Sequence, residues 1–421
     1  MPSLRGLCNA GSVAAVAVLV VFWSLFFLSV NANGLQPTWS SLRVHSYPSP
    51  FGDMFAITQS WDLIRAGGDP FHEPLPPWDG PLTYPRSWGW FTFIGIGSSA
   101  LQVFSAALAL GFYATVCFVL ARGTAWLGFL VATASLSPPV LLCIERMNAD
   151  IIIYLMAVVA VLLVCQKRLL PVAVGFGLAS VAGMLKLFPA VGIPGFMPDL
   201  RRRSIALCLC ALGAFSAYLL FDLGDLLRVN TVALRMTDLS YGAGVTALAL
   251  SEKSAVAGIN VSSEAMTAVF RGAVAIAGLI GLWLGLRGPS SPSALNVPLH
   301  GRDAILFRVG AMIYVGTFFF IQSFNYRLIF LLFCLPLLLG PTPPTSPLRG
   351  VLRVTSALVV ICLFLAGTWV MRGWHGVIYG GVAFVVASVL AACLGSLFGS
   401  MVRVAAAQHR FKRDITVAGY K

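Results

Sequence analysis

Long, nearly uninterrupted apolar runs dominate this sequence. Because about 20 apolar residues in a helix are needed to cross a bilayer, runs of this kind predict membrane-spanning helices. A transmembrane β-barrel would show alternating segments of about ten residues, which is not the pattern here. We therefore predict an all-α integral membrane protein with a single transmembrane domain over 1–421. About twelve segments are expected, and one of them, 187–199, is a short half-crossing. The segments are 11–31, 97–121, 124–143, 149–165, 169–185, 187–199, 204–221, 266–286, 305–323, 326–340, 354–371 and 376–399.

The composition agrees with this class of protein. Hydrophobic residues make up 58% of the chain and charged residues 10%, which lies outside the range of soluble domains. The net charge of +13 comes from basic residues scattered singly between apolar runs, so no nucleic-acid-binding domain is indicated. The nine cysteines fall almost wholly in apolar segments, and no P-loop or metal-spaced His/Cys set occurs. We expect no metal and no cofactor.

The basic residues of the short loops predict the orientation. Placing both termini in the cytoplasm puts the arginines at 201–203 and most other loop cations inside, as the positive-inside rule requires. The first run is expected to remain as an uncleaved helix. Two large loops, 32–96 and 222–265, then face outward, and twelve of the fifteen acids lie on that side. This asymmetry indicates a polar working face outside; the alternative is that the outer loops are merely longer and solvated.

The first outer loop gathers five carboxylates between residues 51 and 90. Asp53 precedes apolar residues at helical spacing, which predicts an amphipathic interfacial helix that ends near Gly67. Asp53 then lies at the N-cap or in the first turn of this helix, where it caps the helix or serves as a general base at the membrane surface, and both roles can hold together. We expect the other four acids to be solvated, and Tyr84 to lead into an interfacial aromatic belt.

A second polar cluster, "CIERMNADIII", lies where two predicted helices meet. It contains Glu145, Arg146, Asn148 and Asp150. Asp150 begins an apolar helix, so N-capping is one explanation for it. Glu145 and Arg146 fit either an interfacial ion pair or a clamp for a substrate.

Cations occur at the outer ends of further predicted helices. Lys186 in "GMLKLFP" lies between two apolar runs, where a lysine either snorkels to the interface or binds an anion. Tyr326 and Arg327 interrupt the run "FIQSFNYRLIF", and Arg372 with His375 forms a similar outer cap. Cations on the face that also carries the acids suit a phosphate-bearing lipid headgroup.

In order and spacing, several of these motifs resemble the family 87 glycosyltransferases. The matching stretches are "AGGDPF", "TYP", "ERMNADIII", "KLFP" and "NYRLIFLL", and the resemblance covers about 45–340. It implies a GT-C-type helical bundle in the bacterial cytoplasmic membrane. Such an enzyme is an inverting hexosyltransferase that moves a sugar, mannose by preference, from a polyprenyl-phosphate donor to a lipid or cell-envelope glycan on the outer face.

The resemblance also implies roles for single residues. Asp53 matches the catalytic base, Lys186 the donor-phosphate site, and Tyr326 with Arg327 the polar residues of the donor site. Where the mycobacterial mannosyltransferases of the family have a late histidine motif, this chain has "SFNYRL", which leaves the sugar and acceptor open. Further candidates for substrate binding are Tyr84, Glu145, Arg146, Asn148, Asp150, Arg372 and His375.

Two other classes of function remain open at this point. An O-antigen ligase or polymerase would use diphosphate-linked donors and should carry more arginines in its outer loops. A lipid or secondary transporter should show repeat symmetry and midplane charges in both halves. The glycosyltransferase hypothesis requires that Asp53, Lys186 and Arg327 converge in the folded chain.

Overall fold

The computed structural model describes residues 9–46, 50–76, 80–166, 168–232, 240–287, 301–320, 323–340, 348–366 and 374–418. These residues are mostly helical. In chain order the α-helices are α1 (Ala10–Asn33), α2 (Leu35–Ser41), α3 (Gly52–Arg65), α4 (Leu101–Thr115), α5 (Ala125–Ala134), α6 (Pro138–Glu145), α7 (Asp150–Val164), α8 (Leu169–Lys186), α9 (Arg202–Phe221), α10 (Leu223–Val232), α11 (Ala243–Val256), α12 (Ser263–Arg287), α13 (Arg302–Phe320), α14 (Leu335–Leu339), α15 (Leu348–Leu365) and α16 (Trp374–Ala418).

Shorter elements connect these helices. Two-residue strands, β1 (Ser240–Tyr241) and β2 (Ser323–Phe324), pair antiparallel with Ser240 opposite Phe324. A π turn, Val116–Leu120, extends α4. The 3-10 helices are Arg86–Ile94, Ser98–Ala100, Phe188–Phe196 and Asn325–Cys334.

The prediction of an all-α membrane protein is confirmed. In the described part of the chain seven helices are long and apolar enough to cross a membrane, or eight if α5 and α6, which are bent by 61°, form one span. As far as they are described, the remaining predicted segments correspond to shorter apolar helices: α7 has 15 residues, and Phe188–Phe196 has nine, with Pro189 as its second residue. The end of the predicted segment 354–371 lies outside the described residues. Fifteen residues rise only about 22 Å against a hydrocarbon core of about 30 Å. By length and composition alone, the described residues thus contain seven or eight helices that could each cross a membrane, compared with the about twelve segments predicted.

Helix α13 lies at the centre of the fold. In its most apolar window 72% of the residues are buried, compared with 17% for α1. Arg308 of α13 is fully buried and donates Nε to the carbonyl of Gly195 at 3.2 Å and Nη2 to that of Met197 at 2.7 Å. Since helix-end carbonyls need partners, this arginine fixes the end of the 3-10 helix Phe188–Phe196, which follows Lys186.

Helices α12 and α16 pack closely through small residues. A Cβ atom added to Gly281 would lie 2.0 Å from the carbonyl oxygen of Ala392, whereas one added to Gly272 would meet nothing within 4 Å. Close backbone approach of this kind is how helices associate in membranes without a hydrophobic driving force. Gly281 is therefore needed for this packing and Gly272 is not.

We expect Gly281→Ala to destabilise the fold by about 1–3 kcal/mol, because the added methyl group forces the two backbones apart. Gly272→Ala is the matched control in the same helix, and it should leave stability unchanged or raise it. Thermal unfolding of the two purified variants in detergent measures the difference. Equal melting temperatures for both would contradict the packing described here.

Candidate functional site

Asp53 lies in the first turn of α3, as the sequence predicts. Met54, Ile57 and Trp61 of this helix are buried. The N–H of Phe51 donates to the carbonyl of Glu145 at 2.9 Å, and that of Asp53 to the carbonyl of Arg146 at 3.1 Å. The start of α3 is thus docked onto the corner between α6 and α7.

The carboxylate of Asp53 binds side chains of that same corner. Arg146 donates Nε to its Oδ2 at 3.0 Å and Nη2 to its Oδ1 at 2.5 Å, and Asn148 donates Nδ2 to Oδ2. No side chain caps the N-terminus of α3, whose cap position is Phe51. The expectation that Asp53 caps its helix is therefore wrong: its carboxylate is directed to a partner 93 positions away.

Asn148 connects Asp53 to a second, more deeply buried ion pair. Its Oδ1 accepts from Lys186 Nζ at 2.7 Å, and Lys186 Nζ also binds Asp150 Oδ1 at 2.6 Å. Asn148 Oδ1 accepts from the N–H of Asp150 as well, at 3.0 Å. Asn148 therefore accepts the first N–H of α7 from just outside the helix, whose cap position is Ala149. Asp150 lies in the first turn, and the expectation that it caps α7 is wrong.

Lys186 is held inside the protein. Its side chain is 8% exposed, and Asp150 is fully buried. The ammonium lies 5.2 Å from the ring centre of Tyr84 and 5.5 Å from that of Tyr326, which is within cation–π range. Snorkelling is thus excluded as the explanation for this lysine.

Arg327 lies beside this cluster. Its guanidinium is 4.7 Å from the ring centre of Phe188 and donates Nη1 to Ser323 Oγ at 3.0 Å. No ion pair of Arg327 is found among the described residues, whereas Lys186 has Asp150 and Arg146 has Asp53.

A chain of tryptophans joins α3 to the end of α8. Trp61 Nε1 donates to the carbonyl of Trp88 at 2.7 Å, and Trp88 Nε1 donates to the carbonyl of Leu185 at 3.0 Å. Ser87 Oγ donates to the carbonyl of Met184 at 2.9 Å. These bonds fix the turn that carries Lys186. The sequence indicated only an interfacial aromatic belt here, but Trp88 is buried.

Left-handed backbone conformations surround the same side chains. Four described non-glycine residues have positive φ, and three of them are Phe51 at 62°, Met147 at 44° and Leu187 at 58°. They lie two residues before Asp53, directly before Asn148 and directly after Lys186. Such conformations cost about 1–3 kcal/mol each and concentrate at functional sites.

Some polar atoms around the site have no hydrogen-bond partner among the described residues. They are the buried atoms Asp150 Oδ2, Asn325 Nδ2 and Arg327 Nε. Buried polar groups are rarely left without a partner, and those that are call for an explanation. An acceptor and two donors of this kind fit a site that binds a polar ligand.

The structure also locates the other candidates. Tyr84 contacts Lys186, and burial raises the pKa of its phenol well above 10, so this group stays neutral. Glu145 is buried. Arg372 lies outside the described residues, as does the side chain of His375.

Of the loop acids expected to be solvated, Asp62 accepts from Ser98, Asp69 from His72 and Glu73 from Asp69, while Asp79 is not described.

The buried pair of Asp150 and Lys186 allows a test by double mutation. Asp150→Asn alone leaves the ammonium without its counter-ion, and Lys186→Met alone leaves the carboxylate; each should cost about 3–5 kcal/mol of stability. The double variant should be more stable than either single one. Unfolding of the three variants measures this coupling, and strictly additive losses would argue against a coupled pair.

No group of three or more His, Cys, Asp or Glu side chains that could hold a metal ion is found in the described ranges. Comparisons with protein-family models, with curated proteins and with solved structures found no match. The resemblance to family 87 glycosyltransferases stays a prediction from the motifs, and the chemistry of the site is argued below from its geometry.

Proposed function

We propose that this protein is an inverting glycosyltransferase that moves a sugar from a polyprenyl-phosphate donor to a hydroxyl of a lipid or cell-envelope glycan. The observation that carries the proposal is that one amide, that of Asn148, binds both the carboxylate of Asp53 and the ammonium of Lys186. A carboxylate and a group of cations thus lie side by side, and the proposed reaction needs a base next to a cationic phosphate site. The resemblance of the motifs to family 87 adds the lipid-linked donor and favours mannose.

Asp53 is the proposed base. Its side chain is 15% exposed, so it is the more accessible of the two carboxylates, since Asp150 is fully buried. Arg146 and Asn148 hold it in one orientation. Arg146 Nε is shared between Oδ1 and Oδ2 at 3.1 and 3.0 Å, so an acceptor hydroxyl can donate to Asp53 by replacing one of these two longer bonds. Asp53 takes the proton of that hydroxyl while the hydroxyl oxygen attacks the anomeric carbon. The bond between that carbon and the phosphate oxygen breaks, and the lipid phosphate leaves.

Arg327 is the proposed principal ligand of the phosphate. The charge of Lys186 is already balanced by Asp150, whereas Arg327 lacks a described counter-ion. Its guanidinium offers Nε, which is buried without a partner, to an anionic oxygen. Lys186, Tyr326 and Tyr84 complete the phosphate side, and Arg327 stabilises the charge that develops as the phosphate leaves.

The membrane setting fits this proposal. The lipid part of the donor stays in the bilayer, which seven or eight helices of the described chain could span. With the termini in the cytoplasm, the two large loops and the proposed site face outward, in a bacterial cytoplasmic membrane. The alternative functions are a ligase or polymerase that acts on diphosphate-linked donors, and a transporter. The following experiment distinguishes both from the proposed glycosyltransferase.

We expect Asp53→Asn to lower transfer at least about 100-fold, since general bases contribute about 10²–10⁴ to rates. The assay supplies radiolabelled polyprenyl-phosphate mannose, glucose or arabinose, or in a separate arm a polyprenyl-diphosphate-linked sugar, to membranes that contain the protein and follows label in lipids and glycans. Asp62→Asn, the same change in the same helix, should keep full activity.

Full activity of Asp53→Asn would remove Asp53 as the base. Transfer only from diphosphate-linked donors would favour a ligase. Absence of transfer from every donor, with the wild type folded, would favour transport.

Arg327 can be tested through donor binding. Arg327→Gln should raise the KM for the donor by about tenfold or more, because a charge-assisted hydrogen bond contributes about 1.5–3 kcal/mol. Arg327→Lys should recover part of the loss, since it keeps the charge. An unchanged KM in both variants would assign the phosphate to other groups.

A further inference from the structure

The segment that carries Tyr84 is held by a helix from the second outer loop. Arg228 of α10 donates Nη1 to the carbonyl of Leu82 at 2.9 Å and Nη2 to that of Tyr84 at 3.4 Å. Asp225, one turn earlier, accepts from the N–H of Arg86 at 2.8 Å. Two side chains of α10 thus bind the backbone on both sides of Tyr84.

The pair is built as a rigid unit. Arg228 Nη2 binds Asp225 Oδ1 at 2.8 Å, and the two side chains are only 16% and 4% exposed. The guanidinium of Arg228 also lies 5.5 Å from the ring centre of Phe71, and that of Arg86 lies 5.4 Å from it. Buried, multiply bonded charges keep a fixed geometry, unlike exposed surface pairs.

On its other side, Tyr84 faces the proposed site. Its ring lies 5.2 Å from Lys186 Nζ and 5.8 Å from the ring of Trp88. Tyr84 itself lies in no helix or strand, so no element of its own fixes where its ring points. The backbone bonds from α10 supply that constraint.

We propose that Asp225 and Arg228 are positioning residues that hold the ring of Tyr84 over Lys186. They touch neither Lys186 nor Asp53 in the described contacts and act through the backbone of Tyr84. Helix α10 of the second outer loop thereby fixes the position of Tyr84, whose ring covers the ammonium of Lys186 at the end of α8. The positioning of the Tyr84 ring is argued from these contacts alone, whereas any effect of this positioning on phosphate binding rests on the proposed function.

The test measures how accessible the amine of Lys186 is. The purified protein is treated with acetic anhydride, and the acetylated fraction of Lys186 is followed by mass spectrometry, with Lys253 as the internal control. Arg228→Ala should raise the labelling rate of Lys186 roughly threefold or more, because modification of a buried amine follows the population of the open form. Arg228→Lys should recover part of the protection, and Lys253 should not change.

A double variant separates positioning from general loosening. Tyr84→Leu removes the ring and should raise Lys186 labelling by itself. If Arg228 acts through Tyr84, adding Arg228→Ala to Tyr84→Leu gives little further increase. Unchanged labelling in Arg228→Ala, additive effects in the double variant, or an equal rise at Lys253 would each overturn the proposal. Because no sugar donor enters this experiment, a failure of the transferase proposal does not affect it.

Discussion

The amide of Asn148 is the junction on which the polar centre of this protein depends. With one side chain it donates to a carboxylate and accepts from an ammonium, which neither an acid nor an apolar residue could do. Through it the first outer loop, the start of α7 and the end of α8 are joined. Buried charges are costly unless they are paired and hydrogen-bonded, and Asn148 adds a hydrogen bond to each of the two ion pairs on either side of it.

The backbone around this junction is shaped for these contacts at a cost in local energy. Positive φ angles at Phe51, Met147 and Leu187 turn the chain next to Asp53, Asn148 and Lys186. Regular helices through these positions would direct the side chains elsewhere. Trp61 bonds the carbonyl of Trp88, and Trp88 bonds the carbonyl of Leu185, so packing holds the end of α8 next to the strained residue Leu187.

Much of the fold and part of the site could be predicted from the sequence. Apolar runs predict the helices because a bilayer demands them. Asp53 stands out because it begins an amphipathic helix, and Lys186 because a charge between two apolar runs is costly. The partner of Asp53 could not be predicted, since Arg146 lies 93 positions away and only the packing of loop on helix corner brings them together. For the same reason the sequence does not single out Asp225 and Arg228, because an i, i+3 pair of opposite charges is typical of any solvated helix face.

The distribution of charge bears on which donor this centre could take. Asp53 pairs with Arg146 and Asp150 with Lys186, whereas no ion pair of Arg327 is found among the described residues. Under the proposed function, a sugar linked through one phosphodiester brings a single negative charge, which the guanidinium of Arg327 can pair with. A diphosphate-linked donor carries two, and in a site of low dielectric an unbalanced second charge is costly. The arrangement therefore favours a monophosphate-linked donor over the diphosphate-linked donor of a ligase or polymerase.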